Sequence, residues 1–215
     1  SETIVSSNII ANTVWTADNS PYLIISDVSV SENAMLTIQP GVTVSFSKGR
    51  NLYVKGLLSA NGDANNKITF TGNNPSKQKG FWGAVHIEFS AKSNSSNISN
   101  AVFECSGFSN YAPIVLDART DVNLNNIEIG NCLYSGIEIK SGTYSKNIYL
   151  KKFDLPYIIT KQFEIAENTY LEIEHNVVLK FTQNANLVVN GDLIANGTGS
   201  MPIIFTSVKD DLADN

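Results

Sequence analysis

Cysteine, histidine, methionine and tryptophan occur only twice each in this 215-residue chain. Each scarcity narrows what the protein can be. Cys105 and Cys132 form neither a CxxC pair nor a zinc-type spacing, so they read as two small buried thiols. Whether they form a disulfide stays open, because geometry decides that and spacing does not. Charged residues make up only 16%, the formal net charge is -5, and no cluster of lysine or arginine stands out. Nucleic acid and anionic membrane surfaces therefore have no support as partners. No apolar run approaches the roughly 20 residues of a membrane-spanning helix. No basic segment followed by an apolar core opens the chain, so no signal peptide is read from it. The sequence has no GxxxxGK[ST] loop, GxSxG elbow, HExxH helix or GGxGxDxUx calcium repeat, and no cofactor or metal is assigned. What is present is 42% apolar residues, enough for one continuous core in a single domain over 1–215.

Those apolar residues repeat. Segment 21–72 matches segment 156–207 without a gap at an offset of 135, with 20 identities over 52 positions. Compositions of this kind give roughly three or four by chance. The identities include Tyr22/Tyr157, Leu36/Leu171, Phe46/Phe181, Gly56/Gly191, Asn61/Asn196 and Phe70/Phe205, and the pairing extends upstream to Asn12/Asn147 and Trp15/Leu150. A complete module over 12–146 and a partial one over 147–215 follow. Within each copy, apolar-x-apolar triplets recur: Leu36, Leu52 and Ile68 lie 16 residues apart, as do Ile38, Val54 and Phe70. Such alternation is the strand signature. The intervening Asn and Gly residues accept the backbone of tight turns. The reading is an all-β parallel solenoid of roughly ten rungs, each triplet stacked on its equivalent 16 residues on. In the middle, Val85–Ile87, Ile114–Leu116, Ile137–Ile139 and Ile148–Leu150 are candidate strands. Phe103/Cys105 aligns with Ile127/Ile129, which turns Cys105 inward. An antiparallel β-sandwich is the alternative, but it leaves the gapless recurrence unexplained.

A resemblance enters on specific residues. Trp15, Pro21-Tyr22-Leu23-Ile24, Leu36-Thr37-Ile38-Gln39-Pro40-Gly41-Val42-Thr43-Val44, Leu58-Ser59-Ala60-Asn61-Gly62, Ile68-Thr69-Phe70-Thr71 and Gly80-Phe81-Trp82-Gly83 resemble the β-helix repeat proteins secreted by bacteria, within the pectate-lyase-like right-handed β-helix class. The resemblance implies a right-handed parallel β-helix and an exported or cell-surface protein. It implies no activity, since such folds carry enzymes and adhesins alike. The second copy has His175-Asn176 where the first has Pro40-Gly41, and Asn fits a left-handed position in place of Gly. Its match stops before the counterpart of Phe81-Trp82-Gly83, so the chain is expected to be a fragment whose partner is the rest of a longer polypeptide.

Chemistry-bearing residues are sparse. Asp117, Arg119 and Asp121 follow the strand Ile114–Leu116 and are the nearest approach to a catalytic set, with carboxylates to hold a cation and an arginine as base. A solvated turn with a local ion pair is the simpler reading. His86 and Glu88 flank Ile87 and are expected to point outward as a ligand-binding pair, as is Tyr53 by alternation. Tyr111, Tyr134 and Tyr144 fall in expected turns as further sugar-stacking groups. Glu172 and Glu174 share an outward face, expected beside Val188, Asn190, Ile204 and Thr206. Three N-glycosylation sequons begin at Asn94, Asn97 and Asn196 and are expected to be idle in a bacterial protein. The functional expectation is a non-catalytic structural or adhesive module that contacts a polysaccharide or other cell-surface ligand. The alternative is a polysaccharide-binding or polysaccharide-degrading β-helix.

Overall fold

A computed structural model describes residues 2–90 and 95–210. Among the described residues nearly all regular structure is strand, every strand pairing is parallel, and the coil makes about eight turns, rather than ten. The chain divides into two compact units, Ser1–Val115 with Thr120–Ser135, and Leu116–Arg119 with Gly136–Asn215.

The first unit opens with β1 (Thr3–Val5) and β2 (Thr13–Trp15). The next turn holds β3 (Tyr22–Ile24), β4 (Val28–Val30) and β5 (Met35–Ile38), and the one after it β6 (Thr43–Phe46), β7 (Leu52–Val54) and β8 (Leu57–Asn61). Then come β9 (Ile68–Gly72), β10 (Val85–Ile87), β11 (Asn97–Glu104), β12 (Ile114–Leu116), whose last residue is counted with the second unit, and β13 (Asn123–Gly130). Three faces stack: β1-β3-β6-β9, β4-β7-β10 and β2-β5-β8. The first and third faces share β11, whose residues 97–99 pair with β8 while 101–103 pair with β9. Between these halves the corner shrinks to one residue, Asn100, at φ 48°. Asn126 repeats that conformation on β13 at φ 51°. Its Nδ2 donates to Asn100 Oδ1 at 2.6 Å, and Asn100 Nδ2 donates to the Gly62 carbonyl at 3.0 Å. Side-chain amides thus satisfy backbone and one another where no ladder bond reaches.

The second unit contains β14 (Ile137–Ile139), β15 (Gly142–Tyr144), β16 (Ile148–Leu150), β17 (Tyr157–Ile159), β18 (Gln162–Ile165), β19 (Tyr170–Ile173), β20 (Val178–Phe181), β21 (Asn186–Val189), β22 (Asp192–Ile194) and β23 (Ile204–Ser207). Its faces are β14-β17-β20-β23, β15-β18-β21 and β16-β19-β22.

The registers refute the 16-residue rung. Leu36 pairs with Leu58, Val28 with Leu52 and Val44 with Phe70, so a turn takes 22, 24 or 26 residues depending on the face. Leu36, Leu52 and Ile68 lie on β5, β7 and β9, three different faces. Sixteen residues is two thirds of an average turn and carries the chain two faces forward. The inward column on one face is Trp15, Ile38 and Ala60, not Ile38, Val54 and Phe70. The middle alignment also shifts by two, since Phe103 pairs with Ile129 and Ala101 with Ile127. Cys105 lies beyond the ladder at φ 66°, yet is fully buried.

The 135-residue offset has a direct structural counterpart. Tyr157–Leu179, Phe163–Leu187, Leu171–Leu193 and Leu179–Phe205 reproduce Tyr22–Val44, Val28–Leu52, Leu36–Leu58 and Val44–Phe70 residue for residue. Identical polar residues do identical work. Asn12 Oδ1 accepts the Met35 N–H at 2.9 Å, and Asn147 Oδ1 accepts the Tyr170 N–H at 3.2 Å. Gly56 and Gly191 are obligatory because a Cβ would sit 2.2 Å from the Ala34 carbonyl oxygen and 1.9 Å from that of Thr169. Asn176 takes φ 62° where Gly41 has 79°, as expected of that turn, and Asn184 takes 65° where Gly49 has 73°.

The core of the first unit is stacked aromatics and aliphatics. Phe70 lies on Phe103 at 4.6 Å and Phe46 on Trp82 at 4.0 Å, the ring planes nearly parallel in both pairs. The Trp82 Nε1–H donates to the Glu104 carbonyl at 2.6 Å, which satisfies its one polar atom. This explains the Phe81-Trp82-Gly83 signature. The indole fills the core, and Gly83 leaves room for Asn51, whose Oδ1 would lie 1.9 Å from any Cβ there.

Candidate functional site

In the first unit, alternation along β4, β7 and β10 aligns Ser29, Tyr53 and His86 in one outward column. Outward does not mean exposed here. His86 retains only 5% of its surface, a correction to the expectation of a solvated histidine. Its ring stacks on Tyr53 at 4.5 Å, and Tyr111 packs edge-on against it at 4.9 Å. Beneath lies Asn51, which the sequence marks only as a turn residue. Asn51 Nδ2 donates to the Gly49 carbonyl at 3.2 Å, and Oδ1 accepts the Ala84 N–H at 3.0 Å. The same Oδ1 stands 3.1 Å from His86 Nε2, so Nε2 must carry the proton. Asp27 accepts the Asn51 backbone N–H at 3.0 Å. Burial, and then the negative charge of Asp27, hold the Tyr53 phenol above its ordinary pKa. Glu88 is half-buried just past β10, its N–H donated to the Val54 carbonyl. The geometry brings Tyr53 and His86 together as a packed stack joined to an amide network, and Glu88 lies beside them.

The second candidate set separates. In the second unit the Asp117 carboxylate is buried, with 3% exposure, and grips Arg119 with two bonds, Nε to Oδ1 at 2.8 Å and Nη2 to Oδ2 at 2.7 Å. The Arg119 backbone N–H also donates to Oδ1 at 3.1 Å. The guanidinium lies 5.8 Å from the centre of the Tyr144 ring. The ion pair of the simpler reading is present, but the turn is not solvated at Asp117, whose carboxylate is buried. Asp121 is exposed and belongs to the first unit.

The second unit also buries charges that the sequence did not flag. On the outward column Glu138–Ile158–Lys180, the carboxylate and the amine keep only 4% and 5% of their surface. Glu138 Oε1 accepts the Thr160 hydroxyl at 2.6 Å, and Lys180 Nζ donates to the Asp210 carbonyl at 2.7 Å. Their outward direction was legible in Ile137-Glu138-Ile139 and Leu179-Lys180-Phe181, but their cover was not.

The tyrosines divide in the same way. Tyr144 is a buried residue of β15, not a turn residue, and Tyr111 and Tyr134 are half-buried. Tyr149, unremarked in the sequence, is the broadly exposed one at 51%. Glu172 pairs beside it in register, with Ile194 beyond, instead of the expected Val188 and Ile204, because the turn is longer than 16 residues. The Tyr149 hydroxyl hydrogen-bonds Glu174, and burial together with that carboxylate raises the phenol's pKa. Among the described residues no three His, Cys, Asp or Glu side chains converge as a metal-holding group, and no helix is long and apolar enough to cross a membrane.

Known proteins place this arrangement. Over 60 residues the chain is 37% identical to Protein bark beetle of Drosophila melanogaster, a match covering 28% of this chain and 2% of that protein. The chain thus corresponds to a very small part of that relative's length. No solved structure matches it. The sequence pattern of the pectate-lyase-like beta helix domain matches residues 7–118, just over half of the chain, which spans the outward column of Tyr53 and His86 and reaches Asp117. With its all-parallel three-faced coil, the protein belongs to the pectate-lyase-like beta helix domain family.

Proposed function

We propose that this chain is a non-catalytic structural or adhesive β-helix module of a secreted or cell-surface protein, displaying its outer faces to polysaccharide or another surface ligand. One observation carries the reading. The buried side chains suited to chemistry are engaged by neighbours: His86 by Asn51 and two tyrosine rings, Asp117 by Arg119, and Glu138 by Thr160. A general acid or base must reach the substrate proton, and buried, internally satisfied groups do not. The test is incubation of the purified chain with polysaccharides of varied charge, read by reducing ends and by absorbance of unsaturated products. The expected result is binding without turnover, and turnover refutes the reading.

The alternative is a polysaccharide-degrading β-helix. It is favoured by Glu138, Lys180, Asp117 and Arg119, which put both charge signs into the second unit. It predicts activity that disappears in Asp117→Ala or Arg119→Ala, and activity unchanged by both rejects that site.

A further inference from the structure

The three sequons differ in where the fold puts them. Asn97 begins β11 and is paired on both sides, with Ser59 and with Asn123. Its Oδ1 is buried, and the hydroxyl of its sequon, on Ser99, donates to Asn61 Oδ1 at 2.9 Å. Asn97 is half-buried within a strand paired on both sides, so its amide is held in regular sheet and not presented on a free loop. Asn94 lies outside the described residues, and the hydroxyl of its sequon, on Ser96, is buried and accepts the Leu58 N–H at 3.0 Å. Asn196-Gly197-Thr198 is different. It follows β22 in irregular backbone, and 196–200 are all exposed.

The internal repeat supplies an independent check. Asn196 corresponds to Asn61, which stays exposed in the first unit even with the next turn stacked beside it. The position therefore faces solvent by its place in the turn. The first copy carries Asp63 where the second has Thr198, so only the second copy has the hydroxyl that a sequon requires. Gly197 is fixed by space, since a Cβ there would lie 2.7 Å from the Ile203 nitrogen. Thr198 Oγ1 accepts the Met201 N–H at 3.1 Å, which closes the loop while both side chains of the sequon remain at the surface.

We infer that Asn196 is an acceptor for N-linked glycan and that Asn97 is not. This rests on the reading of the chain as a secreted or surface module, because the donor, a lipid diphosphate-linked oligosaccharide, and its transferase are met on that route. In the transfer, Asn196 Nδ2 forms a bond to the anomeric carbon of the first sugar. The bond from that carbon to the donor's phosphate oxygen breaks, its electron pair leaves with the lipid diphosphate, and one amide proton passes to a base of the transferase.

The full chain, given a secretion leader, is expressed in insect cells, and cell-associated and secreted material are pooled. Peptide N-glycosidase in heavy-oxygen water then marks each occupied asparagine by a mass shift in peptide maps. Occupied Asn196 with bare Asn97 is expected, with loss of the Asn196 mark in Asn196→Gln and Thr198→Ala and its retention in Thr198→Ser. Bare Asn196, or occupied Asn97, overturns the inference. Because the leader imposes the route, a negative result falls on the acceptor and leaves the proposed location to be tested by tracking the native protein.

Discussion

Phe70 and Phe205 occupy the same place in the two copies, and the fold treats them differently. Phe70 is fully buried, lies in register with Val44 and Phe103, and stacks on the Phe103 ring at 4.6 Å. Truncation there removes a complete aromatic ring and leaves a cavity that the stacked rungs cannot close, because both neighbours are held by ladder bonds. The expected cost of Phe70→Ala is about 3–5 kcal/mol. Phe205 pairs with Leu179 but keeps 45% of its surface in solvent. Only about half its transfer free energy is at stake and water fills the gap, so Phe205→Ala should cost about 1 kcal/mol. Solenoids need not unfold in one step, so the measurement pairs urea denaturation, followed by circular dichroism, with native-state hydrogen exchange of the strand amides. Exchange isolates the unit that holds each residue. Equal losses at the two positions, or a loss below about 1.5 kcal/mol at Phe70, would refute the claim that stacking between turns sets the stability of this fold.

Further predictions use single interactions. Asn12→Ala and Asn147→Ala each strip an acceptor from a strand N–H, and both should lose about 1 kcal/mol in urea unfolding. Gly56→Ala and Gly191→Ala push a methyl into a carbonyl oxygen, and each should lower the denaturation midpoint by an amount equivalent to about 1–3 kcal/mol. The Lys77 ammonium beside Glu104 holds that carboxyl below its ordinary value, with the Thr71 hydroxyl assisting. A folded pKa below the unfolded one gives stability that is present above the unfolded value near 4.5 and lost as pH falls through the folded one. Midpoints between pH 6 and pH 3 should therefore fall less steeply in Glu104→Gln than in the native chain. Burial pushes the Cys132 thiol up to about 12, so the folded protein at pH 8 should leave it unmodified by a thiol-disulfide reagent and the urea-unfolded chain should not.

Fold class, the 135-residue repeat and the turn chemistry are all legible in the order of residues alone. Alternating triplets specify strands, and 20 identities without a gap allow one register between the copies. Asn176 standing for Gly41 was legible as a left-handed turn because few residues accept that backbone. The length of a turn was not legible. Inward residues are alike on every face, so hydrophobicity alone does not distinguish a step of two faces from a complete turn, and only the pairings give 22–26 residues. The same limit applies to the candidate sites. Alternation turns Tyr53 and His86 away from the core, and the same pattern places Glu138 and Lys180 outward in the structure. Their cover comes from segments distant in the chain, such as Tyr111 over His86 and the Asp210 carbonyl on Lys180, and a local pattern holds no record of those. Direction along a strand is a property of its own backbone, whereas exposure is a property of what the rest of the chain lays over it.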